Sequence, residues 1–330
     1  MTQQVQEVGS TIDPGNGFMW AMVAGPASRH LMRIHVPLPY TSPDDLLVRV
    51  TACGICELDG CVVDGILRPS RSSVIPGHAA VGHVVAMGHE VTGFAIGDRV
   101  GVPRLGGVCG ECDRCRRGLE HRCRRARLVG QTVDGGLAEY VGADHRFAVH
   151  LPGDEPDTSL APLLCEGAIA FRALRAAGDA KRVGIYGTGG AAGLAARLAR
   201  LQGREVSIRR EREVAVAPPE SLDGAIVFAP AQELFADALR AVVDGATVVR
   251  VSGAPSQTVS VHTPLLEGER QVRGIAGFTR RDLEDLLAFA ATVRVRPSVE
   301  VAPLVAAEEE LARIASGRVT GSAVLRIAES

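Results

Sequence analysis

The sequence predicts an α/β protein of two lobes, a β-rich one followed by a doubly wound parallel sheet, and three observations carry that reading. Its 330 residues with 46% hydrophobic side chains suffice for two cores. Aromatic side chains make up only 4%, while Ala, Val, Leu and Gly abound, which suits short buried strands alternating with Ala-rich helices. The apolar pattern also changes midway: strand-like runs broken by glycines fill the first 150 residues, and strand–turn–helix units follow.

Residues 1–17 are polar, with Gly, Asn and Pro, and read as a loose tail. "FMWAMVAG" and "LLVRVTACGIC" read as strands, and "HAAVGHVVAMGHEVTGFAIGDRVGV" as a tightly turned barrel segment. From "APLLCEGAIAFRALRAAG" onward the spacing is helical. "RVGIYGTGG" is a strand entering a glycine turn, and "AAGLAARLARLQG" is a helix stopped by Gly203. "GAIVFAP" and "GATVVRVSG" add strands, and "ELFADALRAVV" and "RRDLEDLLAFAATV" add helices, as a parallel sheet covered on both faces requires.

The formal charge is −2, from 36 basic and 38 acidic residues, so no overall field draws the chain to nucleic acid or an anionic membrane, and a small-molecule substrate is expected. No stretch approaches the roughly 20 apolar residues of a membrane span, and the N-terminus lacks the pattern of a signal peptide, so a cytoplasmic protein is expected. In a reducing compartment, clustered cysteines favour metal over disulfides. Cys109, Cys112, Cys115 and Cys123 follow C-x2-C-x2-C-x7-C, a spacing that aims four thiolates at one zinc ion. An iron–sulfur run would close with a three-residue spacer and a proline, whereas here Arg124 follows a seven-residue spacer. With all four positions taken by sulfur, such a zinc is structural. The lobe carries seven arginines, from Arg114 to Arg127, but lacks the interleaved aromatics of a nucleic-acid surface.

Cys56, His78 and Cys165 are candidates for a second metal, though a single Cys or His is more often a buried core residue. Gly187, Gly189 and Ala192, with Gly190 between them, fit G-x-G-x-x-[GA] after a strand and at the start of a helix, where backbone N–H groups face a pyrophosphate. The next strand, "REVSIR", has Arg209, Arg210 and Arg212 around Glu211 near its end rather than the acid that grips a ribose hydroxyl; these arginines read either as acceptors of a 2′-phosphate, which slightly favours NADP(H) over NAD(H), or as a solvated charged turn.

Taken together, these motifs resemble the zinc-dependent medium-chain alcohol dehydrogenases from Met19 to the C-terminus. The G-H-E-x-x-G-x5-[GA] stretch of that family is matched by Gly77, His78, Gly82 and Gly88, its C-x-[ST]-D element by Cys56 and Asp59, and its P-L-L-C-A-G segment by "PLLCEG". "GFTRRDLED", with Thr279, Arg280 and Asp282, resembles the segment whose arginine contacts the dinucleotide. The resemblance implies a GroES-like catalytic domain over 18–157 and 295–330 with a zinc lobe at 105–127, and a Rossmann-like cofactor domain over 158–294. It further implies two zinc ions per chain, one structural and one catalytic on Cys56, His78 and Cys165 with an open fourth position, Asp59 orienting the histidine, and assembly as a homodimer or homotetramer.

Several departures accompany the resemblance. Only residues 210–224 separate "REVSIR" from "AIVFAP", too few for the usual helix–strand–helix insertion, so one crossover of the sheet is missing and "EVAVAP" is not a further parallel strand. Leu58 stands where the family has a proton-relaying hydroxyl, Ala79 where it has Glu, and Glu166 where it has Ala. Glu57 and Glu166 are therefore the carboxylates nearest the expected metal, as replacement acid or base, extra ligand, or plain surface charge. Two functions follow: hydride transfer between NADP(H) or NAD(H) and an alcohol or carbonyl, or redox-neutral Lewis-acid chemistry (a lyase, cyclase or isomerase) with weak or no nicotinamide binding.

Overall fold

The computed structural model describes residues 17–25, 29–210, 217–228, 232–252 and 260–327. Most of the polar N-terminal tail, Glu211, Arg212 and most of "EVAVAP" lie outside the described residues. Among the described residues no helix is long and apolar enough to cross a membrane.

The first lobe is organised by β1 (Asp45–Ile55), an almost wholly buried strand. Register shifts at Leu47/Val48 and Val50/Ala52 bend it, so that it pairs antiparallel with β2 (Ala79–Met87), with residues 140–144 and with the strand at 322–326 near the C-terminus. The resulting seven-stranded sheet closes around Leu46, Val48, Val50, Val84, Val100, Leu137 and Val141, all at most 1% exposed. Between the two strands runs α1 (Glu57–Val63), whose first turn is closed by the Asp59 carboxylate accepting from the Cys56 amide at 2.9 Å.

The second lobe follows α2 (Glu166–Ala176) with β3 (Arg182–Tyr186), α3 (Gly190–Leu201), β4 (Glu205–Arg209), β5 (Leu222–Val227), α4 (Gln232–Ala241), β6 (Val242–Val251), β7 (Gln271–Ile275) and α5 (Arg280–Thr292). The five strands are all parallel, in the order β4-β3-β5-β6-β7. Helices α2, α3 and α5 cover one face through Ala173, Leu174, Leu194, Leu198, Leu283 and Leu286. On the other face α4 packs Phe235, Ala238 and Leu239 against Tyr186, Ala225 and Val248. A doubly wound sheet of order 3-2-1-4-5-6 would place a third strand outside the second. Here β4 has no outer neighbour among the described residues, so the expected loss of one crossover is observed. Ala217, 4% exposed, joins the α4 core.

One boundary differs from expectation. The helix of "ELFADALRAVV" ends at Ala241, and Val242 and Val243 already belong to β6, with Val242 in register with Leu222. Two consecutive β-branched residues suit the pleated ladder better than a helix end.

The lobes share hydrophobic contacts. Leu160, Leu163 and Leu164, at most 3% exposed, lie in one cluster with Ala79 and Val81 of β2, Val324 near the C-terminus, and the α2–α3–α5 face. Leu164→Ala should therefore cost about 3 kcal/mol, the usual penalty for an unrelaxed core cavity, seen as a lower urea midpoint, and should shift near-ultraviolet circular dichroism signals of both lobes together.

Candidate metal centre and cofactor turn

Three helix and strand beginnings converge on one point. Cys56 is the extended residue before α1, His78 directly precedes β2, and Cys165 caps α2 after the 3-10 turn Ala161–Leu164. Their donor atoms lie within 4.8 Å of one another, with Cys56 Sγ to His78 Nε2 at 3.5 Å and His78 Nε2 to Cys165 Sγ at 3.1 Å. Zinc bonds of about 2.3 Å to sulfur and 2.0–2.1 Å to nitrogen put tetrahedral S···N edges at about 3.6 Å, so the tripod has the right size.

Behind the tripod stands Asp59, 1% exposed. One oxygen takes the His78 Nδ1–H at 2.9 Å and the Gly77 amide at 2.9 Å, and the other takes the Cys56 amide. Gly77 adopts φ 93°, and a side chain on it would strike the Leu137 backbone and Cys53 Sγ, so only glycine lets the chain present its amide and His78 together. Burial opposes charge on Asp59, but His78 and the two amides prevail and hold it below the usual carboxylate range. Burial likewise opposes an imidazolium, yet Asp59 and Cys56 hold His78 up at about 10. The Cys165 sulfur and burial push the Cys56 thiol up. Two sulfurs packed against an imidazole backed by a carboxylate call for a cation between them, and a soft divalent metal ion fits this donor set.

The four-cysteine knot forms a second, closed cluster. Its sulfurs stand 3.5 Å (Cys109–Cys123), 3.6 Å (Cys112–Cys115) and 3.9 Å (Cys109–Cys115 and Cys112–Cys123) apart, against about 3.8 Å for a tetrahedral zinc tetrathiolate. The amides of Cys112 and Glu111 hold the Cys109 thiol down at about 6, whereas burial and neighbouring sulfurs push Cys115 up to about 12. A cation is what lets all four ionise together. The knot also docks on the second lobe, a contact without any signal in the local sequence. The Glu120 carboxylate accepts from the Arg280 amide at 2.8 Å, and Arg172 bonds both His121 Nε2 and the Gly277 carbonyl at 2.9 Å.

The glycine turn has the expected backbone. Gly187 (φ 123°) and Gly189 (φ 88°) hold conformations that favour glycine, and Gly189 has open space where a side chain would stand. Gly190 and Ala192 begin α3, whose first-turn amides are available to an anion. The arginines divide. Arg209 lies beside Tyr186 in the sheet register and is half-buried, and Arg210 is exposed. The Arg280 guanidinium donates to the Arg146 carbonyl at 2.8 Å and lies over the Phe147 ring. Glu57 is exposed on the first turn of α1. Glu166 is different. Its carboxylate lies so close to Gly190 that a side-chain carbon there would collide with both oxygens, and burial pushes it up to about 7, partly offset by Ser322 and His78. Sequence reading missed Ser322, which is 1% exposed and comes from the far C-terminal strand.

Comparison with known proteins finds relatives along most of the chain. Residues 42–153 match the model of the alcohol dehydrogenase GroES-like domain. The chain is 37% identical over 324 residues to a probable alcohol dehydrogenase AdhA of Mycobacterium tuberculosis, covering 90% of this chain and 93% of the relative. Among solved structures, a cinnamyl alcohol dehydrogenase of Sorghum bicolor superposes with a TM-score of 0.85 at 25% identity, covering 95% of this chain and 98% of that one. A Helicobacter pylori protein solved as a complex with NADP(H) shares the fold, with a TM-score of 0.83 at 20% identity and 95% and 99% coverage.

Metal analysis of purified protein should find two zinc ions per chain. Asp59→Ala should weaken one of them about 10–100-fold by freeing the His78 ring, read by competition with a chromogenic chelator. Cys112→Ser should abolish soluble folded protein, whereas Cys165→Ser should lose one ion and keep the wild-type circular dichroism spectrum.

Proposed function

Because the chain belongs to the zinc-dependent medium-chain alcohol dehydrogenase family and is an oxidoreductase, we propose that Cys56, His78 and Cys165 hold its catalytic zinc, that Cys109, Cys112, Cys115 and Cys123 hold a structural one, and that the turn from Gly187 to Ala192 receives NADP(H) or NAD(H). The division into a catalytic lobe at 18–157 and 295–330 and a cofactor lobe at 158–294 belongs to the same reading, as does assembly as a homodimer or homotetramer. The observation that carries the proposal is the adjacency of Cys165 and Glu166: one belongs to the metal tripod and the other touches the glycine turn, so the two sites lie one peptide step apart.

When bound, zinc supplies Lewis-acid polarisation of a substrate oxygen and the nicotinamide accepts or donates the hydride. The residues of the chain set the stage for that exchange. Asp59 fixes the His78 ring so that Nδ1–H points away from the tripod and Nε2 points into it. The Cys165–Glu166 junction, with Leu163 and Leu164 packed in the shared core, holds the third donor at a fixed distance from the coenzyme turn. Half-buried Leu58 offers no hydroxyl for a proton relay, so a proton leaving an alcohol must pass through another group or water. Arg210, exposed at the end of β4, is the residue we assign to a 2′-phosphate, which favours NADP(H) slightly. The comparisons lend no support to redox-neutral chemistry.

The test is a fluorescence titration with NADPH and NADH, followed by a screen of primary and secondary alcohols for coenzyme reduction. Binding of either coenzyme with alcohol-dependent turnover is expected, and Cys165→Ser should retain the fold while turnover drops at least a hundredfold. Arg210→Ala should weaken NADPH about tenfold and leave NADH unchanged. Failure of the wild-type protein to bind any nicotinamide would overturn the proposal.

A further inference from the structure

The glycine turn contains a feature at odds with its expected ligand. An approaching dinucleotide brings two phosphate charges to the first turn of the helix, and the glycines let the backbone come close to them. The Glu166 carboxylate already lies against the first helical residue, Gly190, with both oxygens where a β-carbon would stand. No arginine or lysine pairs with this carboxylate among the described residues, and what favours its charged form is the Ser322 hydroxyl and His78. Ser322, 1% exposed, comes from the far C-terminal strand to reach it. The side chain is half-buried and joined by one peptide bond to the tripod residue Cys165, so it cannot leave the boundary between the two sites.

We infer that Glu166 is a resident acidic stop on the coenzyme turn: its carboxylate stands beside the ground that the dinucleotide diphosphate needs, and coenzyme binds only when this side chain swings off Gly190. The inference rests on the nicotinamide reading above and deepens it by naming the residue that sets coenzyme affinity. Two effects act together. The carboxylate repels the phosphates across a short, partly buried gap, and its bulk fills space over Gly190. The atoms that lie on Gly190 are the far end of a flexible side chain, which is what makes the stop displaceable.

The experiment titrates zinc-loaded wild type, Glu166→Gln and Glu166→Ala with NADH and NADPH by nicotinamide fluorescence and by calorimetry, with zinc content and circular dichroism as controls. Glu166→Gln keeps the size and removes the charge, and Glu166→Ala removes both. The expected result is a dissociation constant at least tenfold lower for both variants; a gain confined to Glu166→Ala also supports the stop, acting then through volume. Binding by the wild type that neither variant improves overturns this inference and leaves the dehydrogenase reading intact, whereas no binding by any of the three proteins overturns both.

Discussion

The arrangement of the metal tripod depends on one buried carboxylate. Asp59 gathers a side chain and two backbone amides from two separate stretches of chain, and both stretches carry donor residues. A buried charge is costly unless its hydrogen-bonding capacity is filled, and here three donors fill it. The same three bonds fix the start of α1, the left-handed turn at Gly77 and the ring of His78. Packing in the first lobe could tolerate many apolar exchanges, but this carboxylate has a single geometry that satisfies it. Cys165 comes from elsewhere, held by the leucines of the 160–164 turn, so the tripod joins a polar anchor to an apolar one.

The two lobes are joined by more than the shared core. The four-cysteine lobe reaches α5 through Glu120 and α2 through His121, and Arg172 ties that contact to the Gly277 carbonyl. Asp282, 2% exposed, closes the first turn of α5 with Thr279 and receives Arg175 from α2. An acid in the first helical turn is stabilised by the helix dipole as well as by its partners. Any metal held by the four cysteines would thereby be coupled to the position of two helices of the parallel sheet.

Much of this was legible in the sequence because the signals were local. Period-two and period-3.6 patterns marked β1, β2, β3, α3 and α5, and the cysteine spacing marked the knot. The short interval after β4 correctly predicted a missing crossover, since a chain that short cannot fold a helix, a strand and a return. The tripod could be named only through resemblance, because residues 56, 78 and 165 have no periodic relation. What escaped was set by three-dimensional proximity alone: Ser322 beside Glu166, Glu120 on the Arg280 amide, and Arg280 turned toward Arg146 and Phe147. The end of α4 was misplaced because Val242 and Val243 continue its apolar pattern, and only pairing with β5 reveals them as strand.

The shortened sheet has a consequence for association. With no strand outside it among the described residues, β4 forms a rim of the parallel sheet, and its outward N–H and C=O groups form a template on which a strand of another molecule can be added. The sequence of that rim is Glu-Val-Ser-Ile-Arg, with Arg204 before it and Arg210 after it, so charges bracket a stretch of only three uncharged residues. Strands guarded in this way resist edge-to-edge aggregation. Loss of a crossover thus carries a colloidal hazard, and the charges that bracket β4 answer it.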